Sequence, residues 1–157
     1  EVCAVYPGFA MPLNSQGACL ALNQRSISGL QALYATFLLQ ELLLEYETLG
    51  QFRCYLRTAV CPGDPSEMHD LDAAQIDGLA NVDADLTLAA LARKNTALMS
   101  NDVYVNLSDI EKSWAQHFDH PILPDVAHGQ TLYSVTALPE RDAHLVTEQA
   151  EVILGFS

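Results

Sequence analysis

A mainly α fold is what the sequence predicts: an irregular four- to five-helix bundle around one long central helix, with an irregular N-terminal segment tethered by disulfides. Three observations predict it. Residues 26–60 carry apolar side chains at helical spacing over a stretch far longer than a strand. A second amphipathic segment lies between Pro139 and Gly155, residues that suit a helix start and a helix stop. No stretch shows the sustained alternation of a half-buried strand. An α+β fold with a minor strand pair is the alternative. The chain has 157 residues, a length suited to one domain over 1–157.

Residues 1–23 hold Pro7, Gly8, Pro12 and Gly17 and read as irregular chain. From Ser26 or Ser28 as N-cap, the central helix runs to about residue 60, with a kink or division at Gly50. Tyr34, Leu38, Leu42, Tyr46 and Leu49 share one arc with Leu39 and Leu43, while Thr36, Gln40, Glu47 and Gln51 fall opposite. So wide an arc implies cover on more than one side. Residues 62–70, PGDPSEMHD, read as a loop. Residues 72–100 read as one helix or two, broken near Gly78 or Asp83–Asp85, with Ile76, Leu79, Leu86, Leu91 and Leu98 as apolar surface. A short helix over 109–119 opens with a Ser108/Glu111 capping box and shows Ile110, Trp114 and Phe118 at spacing four. Pro121 ends it. GQTLYSVT is one short extended piece. The last helix buries Leu145, Val146, Ala150 and Ile153.

Half of the residues are apolar and 17% are charged, so there is material for a sizeable core. No apolar run is long enough to span a bilayer. The net charge of −13 disfavours nucleic acid and anionic membrane as partners. The same acidity keeps an apolar-rich chain soluble, or fits it to high salt or an acidic extracellular medium.

Cysteines stand at positions 3, 19, 54 and 61, with no C-x-x-C. Their even number, with Glu1 in first place, predicts a secreted chain relieved of its signal peptide. Cys3–Cys19 plus Cys54–Cys61 is the favoured pairing, each closing a short loop. The crossed pairings, which would staple the N-terminal segment onto the central helix, stay open. Asn106-Leu107-Ser108 is a sequon, making Asn106 a candidate glycosylation site, although Ser108 also has its capping use.

The stretch 114–128, WAQHFDHPILPDVAH, holds three of the five histidines. His117, His120 and His128, with Asp119 or Asp125 adding an oxygen, would suit a transition metal such as zinc or copper. Histidines near a helix C-terminus also have a plain electrostatic reason to be there. Glu41, Glu45, His144, Glu148 and Glu151 border helix faces as carboxylates do in dinuclear bundles, but no E-x-x-H is present. Pairing of these glutamates with Arg53, Arg57 or solvent is the simpler expectation. His69 with Asp70 and Asp72 forms an acidic turn without a positioned third partner. The acidic loops follow no calcium pattern. Tyr34, Phe37, Tyr46, Phe52 and Tyr55 would either line a cavity for an apolar ligand or fill the core.

No catalytic constellation emerges. The sequence therefore predicts a secreted, disulfide-stabilised, non-catalytic protein that binds an extracellular protein or a small apolar ligand. The alternatives are a metal-binding protein or metalloenzyme built on His117, His120 and His128, and a self-assembling extracellular structural subunit, a homo-oligomer.

Overall fold

The computed structural model describes residues 2–14, 17–22, 28–48, 56–61, 87–120 and 131–155. In chain order the named elements are helix α1 (Val2–Val5), strands β1 (Gly8–Asn14) and β2 (Gly17–Leu22), helix α2 (Gly29–Thr48) and strand β3 (Thr58–Val60). Helical residues 87–91 precede β4 (Ala97–Ser100). Then come α3 (Asn101–Val105), α4 (Asp109–Lys112), β5 (Ala115–His117), β6 (Leu132–Val135) and α5 (Glu140–Leu154).

The fold is an α/β mix and not mainly α. Four strands form one mixed sheet in the order β3-β4-β6-β5, and β1 pairs with β2 in a separate antiparallel ribbon. Within the sheet, β3 runs parallel to β4, and the other two pairs are antiparallel. A parallel neighbour demands a crossover, which the chain makes through helical residues 87–91. The N-terminal segment is likewise not irregular: Gly8 pairs with Leu22 and Pro12 with Ala18, with a register shift between Pro12 and Asn14. A two-stranded ribbon is all edge, so a proline without an N–H is accommodated there.

The central helix is shorter than expected. Its start is settled by Ser28, whose Oγ accepts from the Gln31 N–H at 3.3 Å while Gln31 Oε1 accepts from the Ser28 N–H at 2.9 Å. This reciprocal pair satisfies two of the orphan groups of the first turn. Residues 49–55, including Gly50, lie outside the described residues, and Thr58–Val60 is a strand where helix was expected.

Both flanks of α2 are buried. Leu33 packs with Ala97, Met99, Leu107 and Val135 against the sheet. Ala35, Leu38 and Leu42 pack with Val2 and Tyr6 of the N-terminal turn, with Leu138, and with Val146 and Ala150 of α5. An all-round apolar helix is the kind a fold buries on two sides. Gln40, expected on the solvent side, instead donates from Nε2 to Thr58 Oγ1 at 3.1 Å and to the Thr96 carbonyl at 3.4 Å. The polar side of the helix is thus stapled to the sheet.

The other face of the sheet carries Leu98 and Leu132, which pack with Leu88 and Ala92 and with the half-buried Ala59, Cys61, Leu91 and Phe118. Helical residues 87–91 therefore cover this face, opposite α2. The turn after them is tight: Asn95 has φ 57°, and the Arg93 carbonyl accepts from both the N–H and the hydroxyl of Thr96.

The predicted helix 109–119 is only one turn. The capping box forms, with the Ser108 N–H donating to Glu111 Oε2 at 2.8 Å and the Glu111 N–H donating to Ser108 Oγ at 3.3 Å. The chain then turns through Ser113 and Trp114 into β5. Ile110 is 73% exposed, so the spacing-four face does not exist as such. Trp114 packs toward α2, and Phe118 reaches the opposite side of the sheet. In α5, Pro139 is the N-cap and Gly155 closes the helix at φ 74°. Val146 and Ala150 are buried, whereas Leu145 faces outward.

The disulfide framework is also corrected. Neither Cys3 nor Cys61 belongs to a disulfide. Every way of joining four cysteines into two bridges uses both, so none of the three pairings stands. Cys54 lies outside the described residues, as does the side chain of Cys19. Cys61 serves instead as apolar packing beside Leu98 and Leu132.

Among the described residues, one buried side-chain polar atom lacks a partner: Ser100 is 8% exposed and its Oγ makes no hydrogen bond to any of them. Removing an unsatisfied hydroxyl removes a desolvation cost with no bond lost. Ser100→Ala is expected to leave stability unchanged or raise it by up to about 1 kcal/mol, read as a denaturation midpoint. A loss of more than about 1 kcal/mol would show that the hydroxyl is satisfied in solution.

Candidate functional site: a cationic cleft at the sheet face

The turn that ends the crossover places Arg93 beside the chain entering β3. The Asn95 N–H donates to the Leu56 carbonyl at 3.3 Å, and Thr58 Oγ1 donates to the Thr96 carbonyl at 3.0 Å. These bonds fix residues 56–58 and 93–96 in one local frame. Arg57 follows directly: its Nη1 donates to the Ala90 carbonyl at 2.6 Å, near the C-terminus of helical residues 87–91. A cation at a helix C-terminus meets the negative end of the dipole. A guanidinium has five N–H donors, so this bond orients the fork and leaves most of its donors uncommitted to that carbonyl.

Phe118 donates its N–H to the Leu132 carbonyl at 2.9 Å, carrying the β5–β6 ladder one residue further. Its ring stacks with the His120 imidazole at 6.1 Å and 22°. Arg57, Arg93, Leu91, Ala92, Phe118, Asp119 and His120 together line an open cleft of about 300 Å³. Two of the chain's seven basic side chains thus meet at one concavity in a molecule of net charge −13. Neither arginine stood out as a site residue in the sequence. They are 36 positions apart, and only the crossover joins them.

The predicted site residues fall as follows. His117 is on β5, with Nδ1 3.1 Å from Asp119 Oδ1 and its ring edge-on to Tyr133 at 5.9 Å. Tyr133 in turn stacks on Tyr104 at 3.6 Å, and Lys112 Nζ lies 5.8 Å from the Tyr104 ring. His120 keeps company with Phe118, a residue of the opposite sheet face, so His117 and His120 are directed apart. His128 and Asp125 lie outside the described residues. Among the described residues, no group of three or more His, Cys, Asp or Glu side chains converges as a metal would require. Asn106 is exposed, and its Nδ2 donates to the Asp102 carbonyl at 2.7 Å.

On α5, His144 Nδ1 and Glu148 Oε1 are 3.4 Å apart on a solvent face, and Glu151 is also exposed, so these groups do not face Glu41 and Glu45 across a core. Arg57, expected to pair with glutamates of the central helix, lines the cleft instead. His69, Asp70, Asp72, Phe52, Tyr55 and Arg53 lie outside the described residues. Of the aromatic residues on α2, Phe37 packs into the core. Tyr34 donates its hydroxyl to Asp142, and Tyr6 donates to Gln149 Oε1 at 2.9 Å, tying the helices to α5. A second cavity, beside Gln40, Leu44 and Lys94, holds about 10 Å³, room for one water at most.

Burial, the hydrogen bond to Asp142 and the neighbouring negative charge of Asp142 all push the Tyr34 phenol above its ordinary value of 10.0. Burial pushes Tyr6 the same way, against its bond to Gln149. A raised folded-state value means that the folded chain holds these protons more tightly than the unfolded chain. Their contribution is intact below pH 10 and is lost as pH rises beyond it. Tyr34→Phe is therefore expected to flatten the fall in stability above about pH 10, read as melting temperature against pH. An unchanged alkaline slope would contradict the assignment.

Comparison of the chain with protein-family models, with curated proteins and with solved structures found no match. No described helix is long and apolar enough to cross a membrane.

Proposed function

We propose that this protein works by binding rather than by catalysis, and that it engages an acidic group of its partner in the Arg57–Arg93–His120 cleft. One observation carries the reading: cationic side chains that are scarce in the chain gather where the surface is concave. Two arginines outweigh the one carboxylate of the described lining, Asp119, and a concavity of net positive charge focuses its field most where the rest of the surface is negative. The acidic composition is what supports an extracellular setting, now that the cysteines do not.

The test is a titration with sodium acetate and with inorganic phosphate, followed at backbone amides by NMR against chloride at matched ionic strength. Changes confined to residues 91–95 and 118–120, and weakened at least about tenfold by Arg57→Gln and by Arg93→Gln, are expected for charge-assisted pairs. Changes that are absent, or spread evenly over the surface, would contradict the reading.

Self-assembly has one observation in its favour. Leu145 and Val152 are 41% and 68% exposed and lie seven residues apart on the outer side of α5. Sedimentation over a concentration range decides it: a single monomeric species at every concentration removes the idea.

A further inference from the structure

We infer that the ligand of the cleft is a small aromatic monocarboxylate; this rests on the binding reading above and adds the chemistry of what is bound. The head group follows from the arginines. Each guanidinium offers parallel N–H donors that match the two oxygens of a carboxylate. The bond to the Ala90 carbonyl orients the Arg57 guanidinium before anything binds, and the hydrogen bonds to Arg93's carbonyl fix the backbone that carries its side chain. Pre-organisation of this kind reduces the ordering cost of association.

The charge follows from Asp119. It is one of the lining residues of the same cleft, with Oδ1 3.1 Å from His117 Nδ1. A second negative charge on the ligand would sit against it, so a phosphate dianion is disfavoured relative to a monoanion. The tail follows from the rest of the lining. Leu91, Ala92 and Phe118 supply an apolar wall, and the imidazole stacked with Phe118 presents a flat face beside it. An aromatic ring gains offset or edge contacts there that an aliphatic tail of equal size does not. The cleft's roughly 300 Å³ is at the small end for ligand sites, so one ring and one carboxylate fit and a large amphiphile does not.

The experiment uses the whole chain and four probes: phenylacetate, acetate, inorganic phosphate and phenethylamine. Amide shifts of residues 91–95 and 118–120 report occupancy. Phenylacetate is expected to bind at least tenfold more tightly than acetate and more tightly than phosphate, with no saturable binding of phenethylamine. Arg93→Gln, at an exposed position, is expected to weaken phenylacetate at least tenfold with an unchanged folded spectrum. Phe118→Leu is expected to bring phenylacetate close to acetate while leaving acetate unchanged. Phosphate binding more tightly than phenylacetate, or acetate equal to it, overturns the inference while the cleft remains a binding site. Failure of every anion to perturb these amides overturns both.

Discussion

Leu38→Ala is expected to destabilise the protein by about 3–4 kcal/mol, near the middle of the range for leucines truncated in a filled core. Leu38 is 0% exposed, halfway along α2, among Val2, Tyr6, Leu138, Val146 and Ala150. Its neighbours come from the N-terminal turn, from α5 and from the chain leading into it, so no single element can shift to fill the space. The cost therefore includes an unrelaxed cavity as well as lost transfer free energy. Denaturant titration reads it as a lower midpoint at unchanged slope. A cost below about 1 kcal/mol would mean that α5 does not close over this side of α2.

Leu98→Pro is expected to be larger still, about 4 kcal/mol or more, enough to abolish folding in a domain of ordinary stability. Leu98 is 1% exposed and sits in β4, which has a partner strand on each side. Its N–H points toward a ladder whichever way the pleat turns it. Proline removes that donor and the leucine packing together. The readout is the yield of folded protein and its melting temperature. A folded variant within about 1 kcal/mol of the parent would show that β4 is not an interior strand.

These two positions also show what was legible in advance. The centre of α2 is plain in the sequence because helix-forming residues continue for five turns with few charges. That it is covered on two sides follows from its wide apolar arc. The last helix announces itself through Pro139 and Gly155, and the Ser108 box through its spacing. Of the sheet, β6 was legible as the extended piece GQTLYSVT, whereas β4 hid for a physical reason. Leu88, Leu91, Ala92 and Leu98 fall near helical spacing, so the helix appears to continue through ALMS. What ends it is a turn through Lys94 and Asn95, and a left-handed asparagine has no strong local signature.

β5 is three residues long, too short for alternation to show. In β1 and β2, Pro12 and the flanking glycines look like punctuation, yet a two-stranded ribbon tolerates them. The cysteine count misled because thiols also pack as small hydrophobes, which is the use of Cys61. The cleft was invisible because neither arginine belongs to a motif. The histidines that drew attention are real neighbours of it, through His120 and the Asp119 contact of His117.

The sheet is what brings Arg57, Arg93 and His120 to one place, and backbone NMR contacts across β4 and β6 test it most directly. The structure predicts cross-strand contacts for Ala97 with Val135, Leu98 with Ser134 and Met99 with Tyr133, together with slow amide exchange through Ala97–Ser100. Contacts between residues three apart along Ala97–Ser100, with none to Leu132–Val135, would replace the strand by a helix and dismantle the cleft.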